Sequence, residues 1–380
     1  MFTPSATVQR IIAQSQRPAS RPGPGSISLA SGDPDFPTPD YIQHALIEAI
    51  QQGYTHYADN QGDPHLRQAL AEHAAQTSGQ AVEPGQVVVT HGGSAALSAA
   101  LLATINPGER VLLPEPTYSL YADLLQLVGA QPVFVASTAD FHLDLDAIAA
   151  AAIGAKMIVL CHPCNPTGVV YQRDELERLG EIATRNDLLV LADEAYDHII
   201  FDDRPFVSTL AIATLRDRLI YCQTFSKTYA MTGWRVGYLI APLPIAQAAA
   251  RMHRTINGPM NAAVQRAALA AVTTETDWPE RMRREYEARR ELVFELLAGC
   301  PGVAGNAPEG TFYAFVRYDA DLPAQDVVAA AMARGVAIRG GTEYGPSGEH
   351  HIRLAFSSSR ADLQEGVRRL HSLFTEIGQR

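Results

Sequence analysis

From residue 86 to residue 222 the chain alternates short, almost wholly apolar runs with longer segments whose apolar positions recur every three or four residues. The runs cover 86–90, 110–113, 132–135, 157–161, 188–192 and 219–222. Their length and unbroken apolar character predict strands buried on both faces. The alanine-rich segment 94–104 and the charged, leucine-bearing segment 173–185 predict helices between them. Strands alternating with helices imply an α/β fold, a mostly parallel sheet covered by helices on both faces. Ligands of such sheets bind beyond the carboxyl ends of the strands.

After about residue 270 the pattern changes. A long charged amphipathic helix is predicted over 278–298, followed by short strands at Gly310-Thr311-Phe312-Tyr313 and at 352–356. These form a smaller α+β domain. Residues 1–40 are rich in Pro, Ser and Gly, with a cluster at Arg21-Pro22-Gly23-Pro24-Gly25, and read as an arm joining that smaller domain. The expected division is 1–40, 41–270 for the large domain and 271–380 for the small one.

Polar groups cluster just past four of the predicted strands. They are His91-Gly92-Gly93-Ser94, Asn165-Pro166-Thr167-Gly168, Asp193-Glu194-Ala195-Tyr196 and Thr224-Phe225-Ser226-Lys227. Taken singly, each has a plain reading as a turn, a helix cap or a tight connection. Lys227 changes the picture, because it is one of only two lysines and precedes Arg235 by eight residues. The other, Lys156, stands before an apolar run and reads as a solvated charge. A lysine amine forms a Schiff base with an aldehyde, and pyridoxal 5′-phosphate is an aldehyde cofactor that also needs a phosphate anchor. Lys227 and Arg235 supply both ends.

Taken together and in this order, these segments with Gly233-Trp234-Arg235-Val236-Gly237 resemble the pyridoxal-phosphate-dependent aminotransferases of class I and II, aspartate-aminotransferase-like and of fold type I. The resemblance runs from Pro4-Ser5-Ala6-Thr7 through the segment from Leu29 to Phe36 to His351-Ile352-Arg353-Leu354-Ala355-Phe356. It implies that Lys227 carries the cofactor and moves the substrate proton. Asp193 would pair with the ring nitrogen, and Tyr196 and Asn165 with the phenolic oxygen. Gly93, Ser94 and Ala95 would meet the phosphate at a helix start, with Arg235, Thr224 and Ser226. Tyr118 would stack on the ring and Arg353 grip the substrate carboxylate with two prongs. Gly32 matches a backbone contact to that carboxylate, and also reads as a turn glycine. Tyr57 matches a tyrosine lent to the neighbouring subunit, and Asn261 a segment near the partner's site, which implies a homodimer with shared sites.

The formal charge of −11 argues against a nucleic-acid or anionic-membrane binder. No run reaches a membrane span and no secretory signal is visible, so the cytoplasm is the expected location. Cys161-His162-Pro163-Cys164 has a metal or redox spacing, but no second pair accompanies it, and structural cysteines are expected. His91 reads as a polar filler. The reaction expected is transfer of an amino group from an L-amino acid to a 2-oxo acid in two ping-pong steps. Carbon–sulfur β-elimination, or a synthase acting by elimination, uses the same residues and stays open. A sensing domain lacks residues for a basic DNA-binding module, and a dehydrogenase lacks its Gly-x-Gly-x-x-Gly. Relatives of the bacterial aspartate-type branch often place lysine where this chain has Ser94. That leaves neutral and aromatic donors as open as acidic ones, with 2-oxoglutarate or pyruvate as acceptors.

Overall fold

The apolar runs pair into one seven-stranded sheet in the computed structural model, which describes residues 3–15, 23 and 25–378. Of the Arg21–Gly25 cluster only Gly23 and Gly25 are among the described residues. The strands are Val87–Thr90 (β1), Arg110–Glu115 (β2), Gln131–Ala136 (β3), Met157–Cys161 (β4), Leu189–Asp193 (β5), Leu219–Thr224 (β6) and Gly237–Ile240 (β7). Across the sheet they lie in the order β1-β7-β6-β5-β4-β2-β3. β7 is antiparallel to both neighbours, and the remaining pairs are parallel.

Every residue of β1, β4 and β6 is buried, as expected for strands covered on both faces. β3 departs from that expectation and is largely exposed or half-buried. It is the last strand of the sheet, where Pro132 and its missing N–H are tolerated. β7 was not foreseen. Its sequence, Gly-Tyr-Leu-Ile, is short and opens on a glycine. That glycine is required by packing, because a Cβ at Gly237 would lie 2.8 Å from the Gly92 carbonyl carbon and from the Gly93 nitrogen. β7 thereby holds the turn after β1 against the end of β6.

The C-terminal part forms a second, antiparallel sheet from Val303–Ala304 (β8), Tyr313–Tyr318 (β9), Arg339–Gly340 (β10) and His351–Ala355 (β11), in the order β10-β11-β9-β8. The expected strand at 310–313 starts only at Tyr313. Thr311 takes a left-handed φ of 66° and Gly310 makes an isolated bridge to Ile200 instead. The amphipathic helices Trp278–Ala298 and Arg360–Ile377 pack on each other beside this sheet. Buried side chains fall into two clusters, one built from residues between 42 and 271 and one mainly from residues between 282 and 374.

The later part of the arm is strapped to the second cluster. Ile27–Ser28 pairs in parallel with Val336–Ala337, and Ala355 N–H donates to the Leu29 carbonyl at 2.7 Å. The Asp35 carboxylate meets the buried Arg289 guanidinium at 2.8 Å. These ties fix residues 29–35 at the mouth of the first sheet.

Candidate active site

Past the carboxyl ends of β4, β5 and β6 lies a cavity of about 340 Å³. Of the residues given a role by the resemblance, all line it except Ala95, Tyr57 and Asn261. Ala95 sits in the first turn of the helix Gly93–Thr104, with its amide turned onto the Gly92 carbonyl at 3.1 Å. Tyr57 is 94% exposed and stands in a separate surface pocket with His91 and Asn261.

One end of the cavity is an anion site in its physical chemistry. The helix Gly93–Thr104 begins without a side-chain cap, so its first N–H groups are unsatisfied within the helix and its positive dipole end faces the cavity. Gly92 reaches this turn with φ 79°, and a Cβ there would stand 2.6 Å from Arg235 Nη2. The guanidinium thus approaches the helix start across a gap that only glycine leaves. The Thr224 and Ser226 hydroxyls lie 2.9 Å apart beside it, and Ser226 N–H donates to Thr224 Oγ1.

At the other end of the floor, Asp193 closes β5. Successive strand residues face opposite ways, so Asp193 lines the cavity while Glu194 turns away to accept from Thr209. Burial raises the Asp193 carboxyl to about 6, against the opposing pull of the Tyr121 hydroxyl at 2.9 Å, the Ala195 amide and Lys227. A buried carboxylate with this cost calls for a cationic partner in the cavity.

Lys227 projects from the one-turn helix Phe225–Thr228, and its Nζ donates to the Gly32 carbonyl at 2.6 Å. Burial, reinforced by Arg235 and Arg353, lowers its ammonium to about 8, although Asp33 and Asp193 oppose the shift. The amine therefore gives up its proton more readily than an ordinary lysine does.

Arg353, buried in β11, donates to Asn165 Oδ1 at 2.9 Å and to the Ala30 carbonyl at 2.6 Å, and lies over the Tyr313 ring at 4.1 Å. Its Nε is buried without a partner and remains to be satisfied. Asn165 spends its oxygen on Arg353, which leaves its amide N–H groups for the cavity. Tyr196 and Tyr313 share a hydrogen bond of 3.0 Å, and burial holds the Tyr196 hydroxyl well above its usual range as a neutral donor. Gly32 is more than a turn residue, since a Cβ there would fall 1.8 Å from Tyr313 Oη.

Tyr121, Tyr313, Arg339 and Glu343 belong to this neighbourhood and were not foreseen. Tyr121 carried a signal in its spacing, three residues after Tyr118 where the helix Leu120–Val128 begins, and its ring stands edge-on to that of Tyr118; the others are brought in by the second sheet. Cys161 lines the cavity, Cys164 is buried beneath it, and both are free thiols. His91 bonds His253 Nε2 at 3.0 Å through Nδ1. Among the described residues no group of His, Cys, Asp and Glu could hold a metal ion, and no helix is long and apolar enough to cross a membrane.

Residues 24–370 match the family described as aminotransferase class I and II. The chain is 36% identical to the putative aminotransferase YugH of Bacillus subtilis, with 91% of each chain covered. It is 35% identical to an aspartate aminotransferase of Streptomyces avermitilis, covering 96% of this chain and 92% of that protein. An aromatic aminotransferase from Pyrococcus horikoshii OT3 matches its structure with a TM-score of 0.91 at 32% identity, over 98% of this chain and 99% of that one. A match of this extent, joined to a cavity that gathers a half-buried lysine, a buried acid and two arginines at the ends of the strands, makes the chain a member of the class I and II aminotransferases, and so an enzyme of the transferase class.

Proposed function

We propose that the cavity holds pyridoxal 5′-phosphate and that the enzyme moves an amino group from an L-amino acid to a 2-oxo acid in two successive ping-pong half-reactions. The observation that carries this reading is the convergence of Lys227, Asp193 and the Arg235-flanked helix start in one cavity. Each meets one feature of that cofactor. The uncapped turn at Gly93 and Ser94, with Arg235, Thr224 and Ser226, suits its phosphate. Asp193 suits its ring nitrogen, Tyr196 and the Asn165 amide its phenolic oxygen, and Tyr118 the face of its ring.

When bound, the cofactor supplies an electron-withdrawing ring that takes up the electron pair left as substrate Cα loses its proton. The protein supplies the rest. Lys227 would take that proton and return it to the carbon of the cofactor's aldehyde group, on the far side of the nitrogen, an exchange its lowered basicity favours near neutral pH. Asp193 keeps a positive charge on the ring nitrogen. Arg353 orients the substrate by its α-carboxylate, with Gly32 and Asn165 framing the same end. Tyr57, exposed beside Asn261, is free to reach a neighbouring copy, and we assign the working form to a homodimer with shared sites. The two buried cores support a large domain over 41–270 and a small one over 271–380 joined by the arm. A cytoplasmic location accords with this chemistry.

Mixing the holoprotein with each of the twenty amino acids, without any oxo acid, tests the reaction. A matching donor should shift the absorbance and release one equivalent of its 2-oxo acid. Continuous release of ammonia under those conditions would replace transamination by elimination. Arg353→Gln should raise KM for every donor by roughly 100-fold, since a buried carboxylate contact is lost. An unchanged KM would move the carboxylate site elsewhere.

A further inference from the structure

The residue that reads the substrate side chain is not named by the features above. Ser94 offers no charge. Two charged residues of the cavity remain without an assigned task, Arg339 of β10 and Glu343 of the turn Gly341–Tyr344 that follows it.

Arg339 stands directly opposite Arg353 in the antiparallel pairing of β10 with β11. Directly paired residues share one face of a sheet, about 5 Å apart at Cβ. Two guanidinium-bearing side chains therefore leave the same face towards one cavity. Their surroundings differ. Arg353 is held by Asn165 and the Ala30 carbonyl. In Arg339 both Nε and Nη1 are buried without a hydrogen-bond partner. Its neighbour is the Glu343 carboxylate, whose Oε2 lies 3.5 Å from Nη1 and makes an ion pair but no hydrogen bond. The other oxygen, Oε1, accepts from Ser119 at 3.1 Å.

Glu343 is held where it stands. A Cβ at Gly345 would fall 2.0 Å from Glu115 Oε2, and one at Gly341 would fall 2.0 Å from the Gly348 carbonyl. Thr117 N–H donates to the Tyr344 carbonyl at 2.8 Å and Ser347 N–H to Glu115 at 3.1 Å. The turn is thus locked onto the end of β2, and Glu343 balances the charge of Arg339 without satisfying its donors.

We infer that Arg339, with Glu343 as its resident counter-ion, is the pair that reads the charge of the substrate side chain. The inference rests on the reading of Arg353 as the α-carboxylate site. A neutral side chain meets a pair already balanced. A second carboxylate supplies the missing acceptor for the guanidinium fork but must contend with Glu343 for it. The two residues therefore act with opposite sign on acidic substrates and leave neutral ones nearly untouched.

Titration calorimetry of the holoprotein with succinate and butyrate, which share a four-carbon chain and differ by one carboxylate, isolates the effect. Arg339→Gln should weaken succinate about tenfold and leave butyrate within about twofold, while Arg339→Lys keeps part of the succinate affinity. Glu343→Gln should tighten succinate by about threefold or more without moving butyrate. The kcat/KM ratio of a dicarboxylic to a neutral donor should follow in the same directions. A succinate-to-butyrate ratio unchanged in Arg339→Gln, or weaker succinate in Glu343→Gln, overturns the inference. Should Arg339→Gln fail to fold, Arg339→Lys and Glu343→Gln decide it. Arg353→Gln should weaken both ligands alike; if it does not, the α-carboxylate assignment fails instead.

Discussion

Lys227→Ala should lower turnover by about 10⁴-fold or more and leave the folded protein intact. The amine is the group placed to hold the cofactor and to carry the proton at substrate Cα, and losing an aligned proton carrier alone costs about 10²–10⁴-fold. Among the described residues its only hydrogen bond is to the Gly32 carbonyl at 2.6 Å, so little of the fold depends on it. Circular dichroism should therefore match the parent while activity vanishes. Activity within about 100-fold of the parent would remove Lys227 from the role.

Asp193→Asn should lower kcat by about 10²–10³-fold, the scale expected when a buried charge that stabilises a developing one is removed. Asparagine preserves the shape and can still accept from Tyr121, so the effect is one of charge. The same variant should behave in the opposite way in the cofactor-free protein. The Asp193 carboxyl has its folded value raised by burial to about 6, above the unfolded value near 4. The folded state then holds more protons than the unfolded one across that window. Stability contributed by this group is present below about pH 4 and lost as pH rises through about 6. Asn removes that loss, worth roughly 2–3 kcal/mol by the size of the shift. A cofactor-free variant no more stable than its parent at pH 7, or a holoenzyme with unchanged kcat, would sink the assignment.

What the sequence made legible, and what it hid, follows from how each part of the site is built. The strand ends were readable because the polar groups there are contiguous with apolar runs, as in Leu189–Asp193 and Leu219–Thr224. Burial of the run and the chemistry at its end are both local facts. The anion site was readable for the same reason, with glycines, helix and hydroxyls close in the chain. β7 was missed because its direction depends on pairing with two strands distant in sequence, and no local pattern marks it. Tyr313, Arg339 and Glu343 reach the cavity only because the second sheet is docked over the first, a placement fixed by contacts such as Arg353 with Ala30 and Asp35 with Arg289. In the chain they are an ordinary strand tyrosine and two surface-like charges. The exposed position of the sheet-edge strand β3 was hidden too, since an apolar run does not say whether it has one neighbour or two.

The account stands on the covalent attachment of the cofactor at Lys227. Borohydride reduction of the cofactor-saturated protein, followed by proteolysis and mass-spectrometric mapping, should place a pyridoxyl group on the peptide that carries Lys227, and none on the peptide that carries Lys156. A Lys227 peptide recovered unmodified from saturated protein would contradict it.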